Sequence, residues 1–351
     1  MTATIVPIHS DLPRPEHGGR LRQAAARYDI PLTDWLDLST GINPNAWPVP
    51  PLPRALWARL PETGDGLEQA AASYYGAPGA LALAGSQAAI QGLPQLREPC
   101  RVGVPEVGYQ EHAHGWRRAG HQLVRLPEGD PRGRIESGVA EPLDVLVVIN
   151  PNNPTGRRWS RETLLSWHAA LAARGGWLVV DEAFMDVTPE HSLLGVVGRP
   201  GLVVLRSLGK FFGLAGARVG FAWTEPQLRQ RLDAWLGPWT LSGPARELAR
   251  LALLDTAWQR SARLALARDS ARLAALLDRH GLTPSGGSAL FQWVRTPAAL
   301  RIHEALARQG ILVRLFEQPS SLRFGLPGDA TQWRRLERAL AGLTVSEGVP
   351  A

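Results

Sequence analysis

Residues 207–220 read Ser207-Leu208-Gly209-Lys210-Phe211-Phe212-Gly213-Leu214-Ala215-Gly216-Ala217-Arg218-Val219-Gly220, and this stretch decides the fold. Glycines flank a lysine closely, a serine precedes it by three positions and an arginine follows it by eight. Lys210 is also the chain's single lysine, so the other 37 of its 38 basic residues are arginine. Arginine performs the ordinary surface duties of a cation everywhere else, and position 210 therefore calls for an amine. An amine can shed its proton and attack a carbonyl, whereas a guanidinium stays charged at any relevant pH. The segment is not a phosphate-binding P-loop, because no Ser or Thr follows the lysine and the glycine spacing is wrong.

Outward from this segment, residues 80 to 225 alternate short apolar runs with Gly-marked turns and amphipathic stretches, the pattern of a mainly parallel α/β sheet. Five runs read as strands: Leu81 to Ala84, Arg101 to Val104, Val145 to Ile149, Trp177 to Val180 and Leu202 to Leu205. Each leads into polar or special residues: Gly85-Ser86-Gln87, Glu106 to Tyr109, Asn150 to Gly156, Asp181-Glu182 and Ser207 to Lys210. Ligands of open α/β sheets collect at the carboxyl ends of the strands, so the five segments are expected to converge on one pocket. Residues 245 to 280 read as one helix ending at His280-Gly281. Beyond it, strand-like Ala289 to Val294, Ile311 to Arg314 and Ser321 to Leu326 interleave with helical Ala298 to Gln309 and Ala330 to Leu343, which suits a smaller α+β unit. The expected division is an arm over 1–40 that packs with the small domain, a large domain over 41–245 and a small C-terminal domain over 246–351.

Composition sets the outer limits. The 351 residues are 44% hydrophobic and 20% charged, which excludes disorder and small disulfide scaffolds. The longest apolar runs fall far short of the roughly 20 residues a membrane helix requires. Met1 to Glu16 has no basic segment leading into an apolar one, and Cys100 stands alone, so a cytoplasmic location without a secretory signal is expected. The net charge of +6 raises the question of a nucleic-acid partner. Arg260, Arg263, Arg268, Arg272 and Arg279, with Arg334, Arg335 and Arg338, recur at helical spacing in Leu/Ala-rich segments, which points to solvated helix faces rather than to a nucleic-acid stripe.

The 207–220 segment resembles the cofactor-lysine motif of fold type I pyridoxal-phosphate enzymes. That resemblance implies a Schiff base between Lys210 and pyridoxal 5'-phosphate, with Ser207 and Arg218 on the cofactor phosphate. It implies that Asp181 pairs with the pyridinium nitrogen, that Asn153 donates to the ring oxygen, and that Tyr109 stacks on the ring. Gly85, Ser86 and Gln87, opening a helix, are expected to offer backbone N–H groups to the phosphate.

Over its whole length the chain is similar to the threonine-phosphate decarboxylases of cobalamin biosynthesis, relatives of histidinol-phosphate aminotransferases. The similarity is carried by His17-Gly18-Gly19, Trp35 to Pro44, Asp181-Glu182-Ala183-Phe184, Leu205-Arg206-Ser207-Leu208, Pro238-Trp239 and Ile311-Leu312-Val313-Arg314. Aminotransferases usually place a tyrosine where Phe184 stands, and phenylalanine has no hydroxyl to donate. By family position Arg323 is the clamp for the substrate carboxylate, with His17, Asn43 and Arg314 as further substrate contacts. The implied reaction is decarboxylation of L-threonine O-3-phosphate to (R)-1-amino-2-propanol O-2-phosphate by a homodimer. The alternatives are a histidinol-phosphate or related aminotransferase and a non-catalytic regulator that binds the same cofactor. Two departures stand out: Leu60-Pro61-Glu62 occupies the place of a family tyrosine that reaches the partner subunit, and Leu326-Pro327-Gly328 lacks a second arginine.

Overall fold

A computed structural model describes residues 15–135 and 141–343. Its strands in chain order are β1 (Leu36–Leu38), β2 (Leu81–Leu83), β3 (Arg101–Pro105), β4 (Gln122–Leu126), β5 (Val145–Ile149), β6 (Trp177–Asp181), β7 (Leu202–Ser207), β8 (Gly220–Trp223), β9 (Gly286–Ser288), β10 (Phe291–Arg295), β11 (Ile311–Phe316) and β12 (Ser321–Gly325). They form a seven-stranded sheet in the order β2-β8-β7-β6-β5-β3-β4 and a five-stranded sheet in the order β1-β11-β12-β10-β9. In the larger sheet β8 alone runs against its neighbours.

The central strands are apolar on both faces because both faces are covered. Leu146, Val148, Leu178, Val180, Leu202 and Val204 join one core, while Val145, Val147, Trp177, Val179, Val203 and Leu205 join the other. Alternate residues of a strand point to opposite faces, so an unbroken Val/Leu run is what a parallel sheet between two helix layers requires. The five expected strands are all present, and β4 and β8 are added to them. β4 escapes the apolar reading because it lies at an edge with Gln122 and Arg125 exposed.

The expected single helix over 245 to 280 is two helices, Gly243–Leu254 and Thr256–Arg279. Asp255 separates them: its carboxylate accepts the N–H of Trp258 at 3.0 Å, capping the second helix, and accepts from the Trp47 indole at 3.1 Å. The Leu/Ala period runs across the break, which hides it. Of the arginines expected on solvated faces, Arg263 turns inward, donating to the Asp186 carbonyl at 2.9 Å and the Tyr74 hydroxyl at 2.9 Å.

The two sheets meet through backbone. A Cβ on Gly156, whose φ is +72°, would lie 1.9 Å from the carbonyl oxygen of Gly287 in β9. Only glycine permits this approach, and it fixes the loop carrying Asn153 against the smaller sheet. Residues Leu21–Tyr28 form a helix, and Ala24 and Trp35 pack with Ala307 and Leu312, while β1 pairs parallel with β11. Residues 21–38 thus lie on the smaller sheet.

Candidate active site

The carboxyl ends of β3, β5, β6 and β7 deliver Tyr109, Asn153, Asp181 and Lys210 to one region beside an open cleft of about 1420 Å³. His17, Lys210, Tyr109, Asn153, Arg314 and Arg323 line the cleft. The lysine loop is built by backbone: the Lys210 carbonyl accepts N–H groups from Asn43 at 3.0 Å and Gly213 at 3.2 Å. Gly213, at φ +71°, sits where a Cβ would meet that of Ala46 at 2.6 Å. Burial, followed by the Arg323 guanidinium, lowers the Lys210 ammonium from its ordinary 10.5 to about 8. Its Nζ stands 5.5 Å from the centroid of the Phe184 ring, which packs edge-on against Phe291.

Asp181 is 3% exposed, and its carboxylate is held at both ends, by the Ala183 N–H at 3.0 Å and by Nε2 of buried His112 at 2.9 Å. Sequence reasoning missed His112. Its one legible signal was helical spacing, three residues beyond Tyr109, and a histidine on a buried helix face usually signifies no more than packing. Tyr109 meets His112 edge-on, and its hydroxyl donates to Gln87 Oε1 at 3.1 Å. Burial, then the neighbouring Glu111 and Asp181 carboxylates, raises the Tyr109 phenol far above its usual range, so it remains a donor.

Ser207, Gly85, Ser86 and Arg218 are brought together. Ser207 pairs in register with Gly220, where a Cβ would strike the Ser86 nitrogen at 2.4 Å, and a Cβ on Gly85 would lie 2.7 Å from a terminal nitrogen of Arg218. Gly85, at φ +73°, thus leaves the guanidinium beside the first turn of the helix Ser86–Gly92. First-turn N–H groups lack intrahelical acceptors, so with a hydroxyl and a guanidinium the turn forms a cradle for an anion such as a phosphate.

Arg323 is 6% exposed. One terminal nitrogen donates to Asn153 Oδ1 and the other to the Ser39 carbonyl at 2.6 Å. Each terminal nitrogen carries a second N–H beyond these bonds, and the buried Nε has no hydrogen-bond partner among the described residues. Burial, then Arg314 opposite it in the β11/β12 ladder, pushes Arg323 down to about 10. Arg314 donates to the Glu16 carbonyl at 2.8 Å, and His17 Nε2 lies 2.6 Å from Glu111 Oε1. Asn43, expected as a substrate contact, is 4% exposed with both ends of its amide engaged, by the Phe211 carbonyl and the Asn45 N–H, each at 2.9 Å. It braces the lysine loop.

A half-buried amine, a buried carboxylate held by an imidazole, an asparagine, an aromatic ring and a helix turn suited to an anion fit pyridoxal 5'-phosphate in charge and in donor type. The family model described as aminotransferase class I and II matches residues 57–340. The chain belongs to this family. Within the family it is 58% identical to the threonine-phosphate decarboxylase of Pseudomonas aeruginosa, over 93% of this chain and 97% of that one. It is 44% identical to the enzyme of the same name from Sinorhizobium sp, over the same shares. Among solved structures it resembles histidinol-phosphate aminotransferase from Sinorhizobium meliloti in complex with pyridoxal-5'-phosphate, with a TM-score of 0.78, 22% identity and 97% coverage of each chain. L-threonine-O-3-phosphate decarboxylase from Porphyromonas gingivalis aligns with a TM-score of 0.71 and 20% identity, over 87% of this chain and 98% of that one. These two likenesses establish the family's fold.

Proposed function

We propose that the chain decarboxylates L-threonine O-3-phosphate, giving (R)-1-amino-2-propanol O-2-phosphate for cobalamin biosynthesis, with pyridoxal 5'-phosphate as cofactor. The observation that carries the reading is the 58% identity to a threonine-phosphate decarboxylase across nearly the whole of both chains. Phe184 agrees with it, since no tyrosine hydroxyl stands beside Lys210 at that position.

The cofactor supplies an aldehyde carbon for amine attack and a conjugated ring that accepts the electrons of a breaking Cα bond. Lys210 Nζ is the amine that holds it, and a lowered pKa keeps a usable fraction of that amine neutral near pH 7. Ser207, Arg218 and the N–H groups of Ser86 and Gln87 hold the phosphate, with Gly85 giving Arg218 room. Asp181, fixed by His112, holds a proton on the ring nitrogen. Asn153 and Tyr109 orient the ring.

Arg323 binds the substrate carboxylate through its two remaining terminal N–H groups. By fixing the carboxylate, this clamp would orient the substrate's Cα bonds and so favour carboxylate loss over proton loss. Arg314 lies opposite Arg323 on the neighbouring strand, an arrangement of like charges that favours a polyanionic occupant. Arg314 and His17 are assigned to the substrate phosphate. Lys210 Nζ would be the group that returns a proton to Cα once the carboxylate has been lost as CO2.

The proposal extends to a cytoplasmic homodimer, and to the division into arm, large domain and small domain, with β1 counted with the smaller sheet. Among the described residues no helix is long and apolar enough to cross a membrane. Purified holoenzyme given threonine phosphate should release CO2 in step with amine product. Amino transfer to 2-oxoglutarate without CO2 would establish the aminotransferase reading in its place.

A further inference from the structure

The segment Glu16 to Gly19 spans the cleft from one sheet to the other. On the side of the smaller sheet, the Glu16 carbonyl accepts from Arg314 at 2.8 Å, and the Gly19 N–H donates to Ser39 Oγ at 2.7 Å. Gly18 lies so close to Ser39 that a Cβ there would stand 2.2 Å from the Ser39 carbonyl oxygen. That same oxygen accepts from Arg323. On the side of the larger sheet the segment is met by the helix Gln110–Arg118, where His17 Nε2 lies 2.6 Å from Glu111 Oε1 and its ring 5.5 Å from that of Tyr109.

Glu111 occupies an unusual position in this arrangement. Its side chain is 13% exposed, and its second oxygen accepts from Gln87 at 2.8 Å and Gln91 at 3.1 Å. Gln87 in turn has its Oε1 on the Tyr109 hydroxyl, so its amide orientation is set from both ends. One carboxylate therefore joins the arm to the turn that carries the phosphate cradle. The Glu111 carboxylate makes the contact charge-assisted, with the His17 side chain 39% exposed and the carboxylate 13%.

We propose that Glu111 is a positioning residue that latches His17, and with it residues 16–19, across the cleft. The latch sets the imidazole over the substrate and steadies Ser39 beneath Arg323. It rests on the function proposed above only for the kinetic part of its test.

The test compares wild-type holoenzyme with Glu111→Ala, Glu111→Gln, His17→Ala and the double variant H17A/E111A. Hydrogen exchange is followed in the peptide over 16–20 and in the control strand 145–149. Loss of a charge-assisted bond should speed exchange of the arm about tenfold or more in Glu111→Ala, with the control unchanged. His17→Ala should match it, and Glu111→Ala should add nothing in the His17→Ala background. Glu111→Gln, which keeps an acceptor and is the milder change should the alanine variant not fold, should recover part of the protection. With threonine phosphate, KM should rise about tenfold in Glu111→Ala while kcat falls less. Unchanged arm exchange in both Glu111 variants, or effects of His17→Ala and Glu111→Ala that simply multiply, would overturn the proposal. The exchange result stands whether or not threonine phosphate is the substrate.

Discussion

Lys210 sits in a cleft that lowers its pKa from 10.5 to about 8, with burial the largest cause and Arg323 the next. The neutral fraction of the amine therefore grows as pH rises and levels off above about 8. Capture of pyridoxal 5'-phosphate by cofactor-free protein should accelerate with pH and level off there, as stopped-flow absorbance will show; a rate still climbing at pH 10 would contradict the lowered value. His112 is the second residue with a clear prediction. Its bond to Asp181 is buried and involves a charge, so His112→Ala should speed cofactor dissociation by about tenfold or more, read by fluorescence after dilution. At this scale the sequence singled out Lys210, Asp181 and Arg218 by residue type, and the structure gathers them at the carboxyl ends of the central strands. The sequence was silent on His112 and Glu111, which act through other side chains and whose partners lie 69 and 94 positions away. It did not foresee that Asn43 spans two backbone groups, because such an asparagine has the same appearance in sequence as one that faces a ligand.

Strands β6 and β7 carry the site at their ends, and a buried ionic cluster lies beside them. Arg206 reaches Glu182 at 3.2 Å and Asp186 at 3.4 Å, and all three are 1% exposed or less. Glu182 follows Asp181 and Arg206 precedes Ser207, so this cluster locks the register that brings Asp181 and the lysine loop side by side. Burial raises the pKa of both carboxyls and Arg206 opposes that rise. Arg206→Met should cost about 3 to 5 kcal/mol at neutral pH, since it leaves buried charges unpaired. Without the cation the folded carboxyls hold their protons to higher pH than unfolded ones do, so the variant's deficit should shrink toward pH 5 in urea titrations. A deficit independent of pH would mean that packing alone is lost. Elements were legible where burial is two-sided, as in β5 to β7. Edge strand β4 and three-residue β1 and β9 present no long apolar run of their own and form because neighbours offer them hydrogen bonds. Strand β8, by contrast, is buried throughout on both faces and escapes the apolar reading because Phe221-Ala222-Trp223 follows directly on the glycine-rich lysine segment.

Across the whole molecule, several large apolar side chains face outward: Trp57 is 71% exposed, Leu60 63%, Trp239 59% and Val49 58%. Scattered apolar residues need no explanation, but two tryptophans at this exposure favour a covering surface. Sedimentation equilibrium should give twice the 38.1 kDa chain mass at micromolar concentration. A monomer that is fully active would remove the homodimer from the proposal. The position of the lysine also governs how this protein can be handled. Within these 351 residues a reagent for primary amines finds a single side-chain amine, the one in the cleft. Coupling to an activated-ester resin or dye should therefore silence the enzyme in proportion to label at 210. Prior saturation with the vitamer should shield it, giving a footprint of site occupancy that requires no turnover at all.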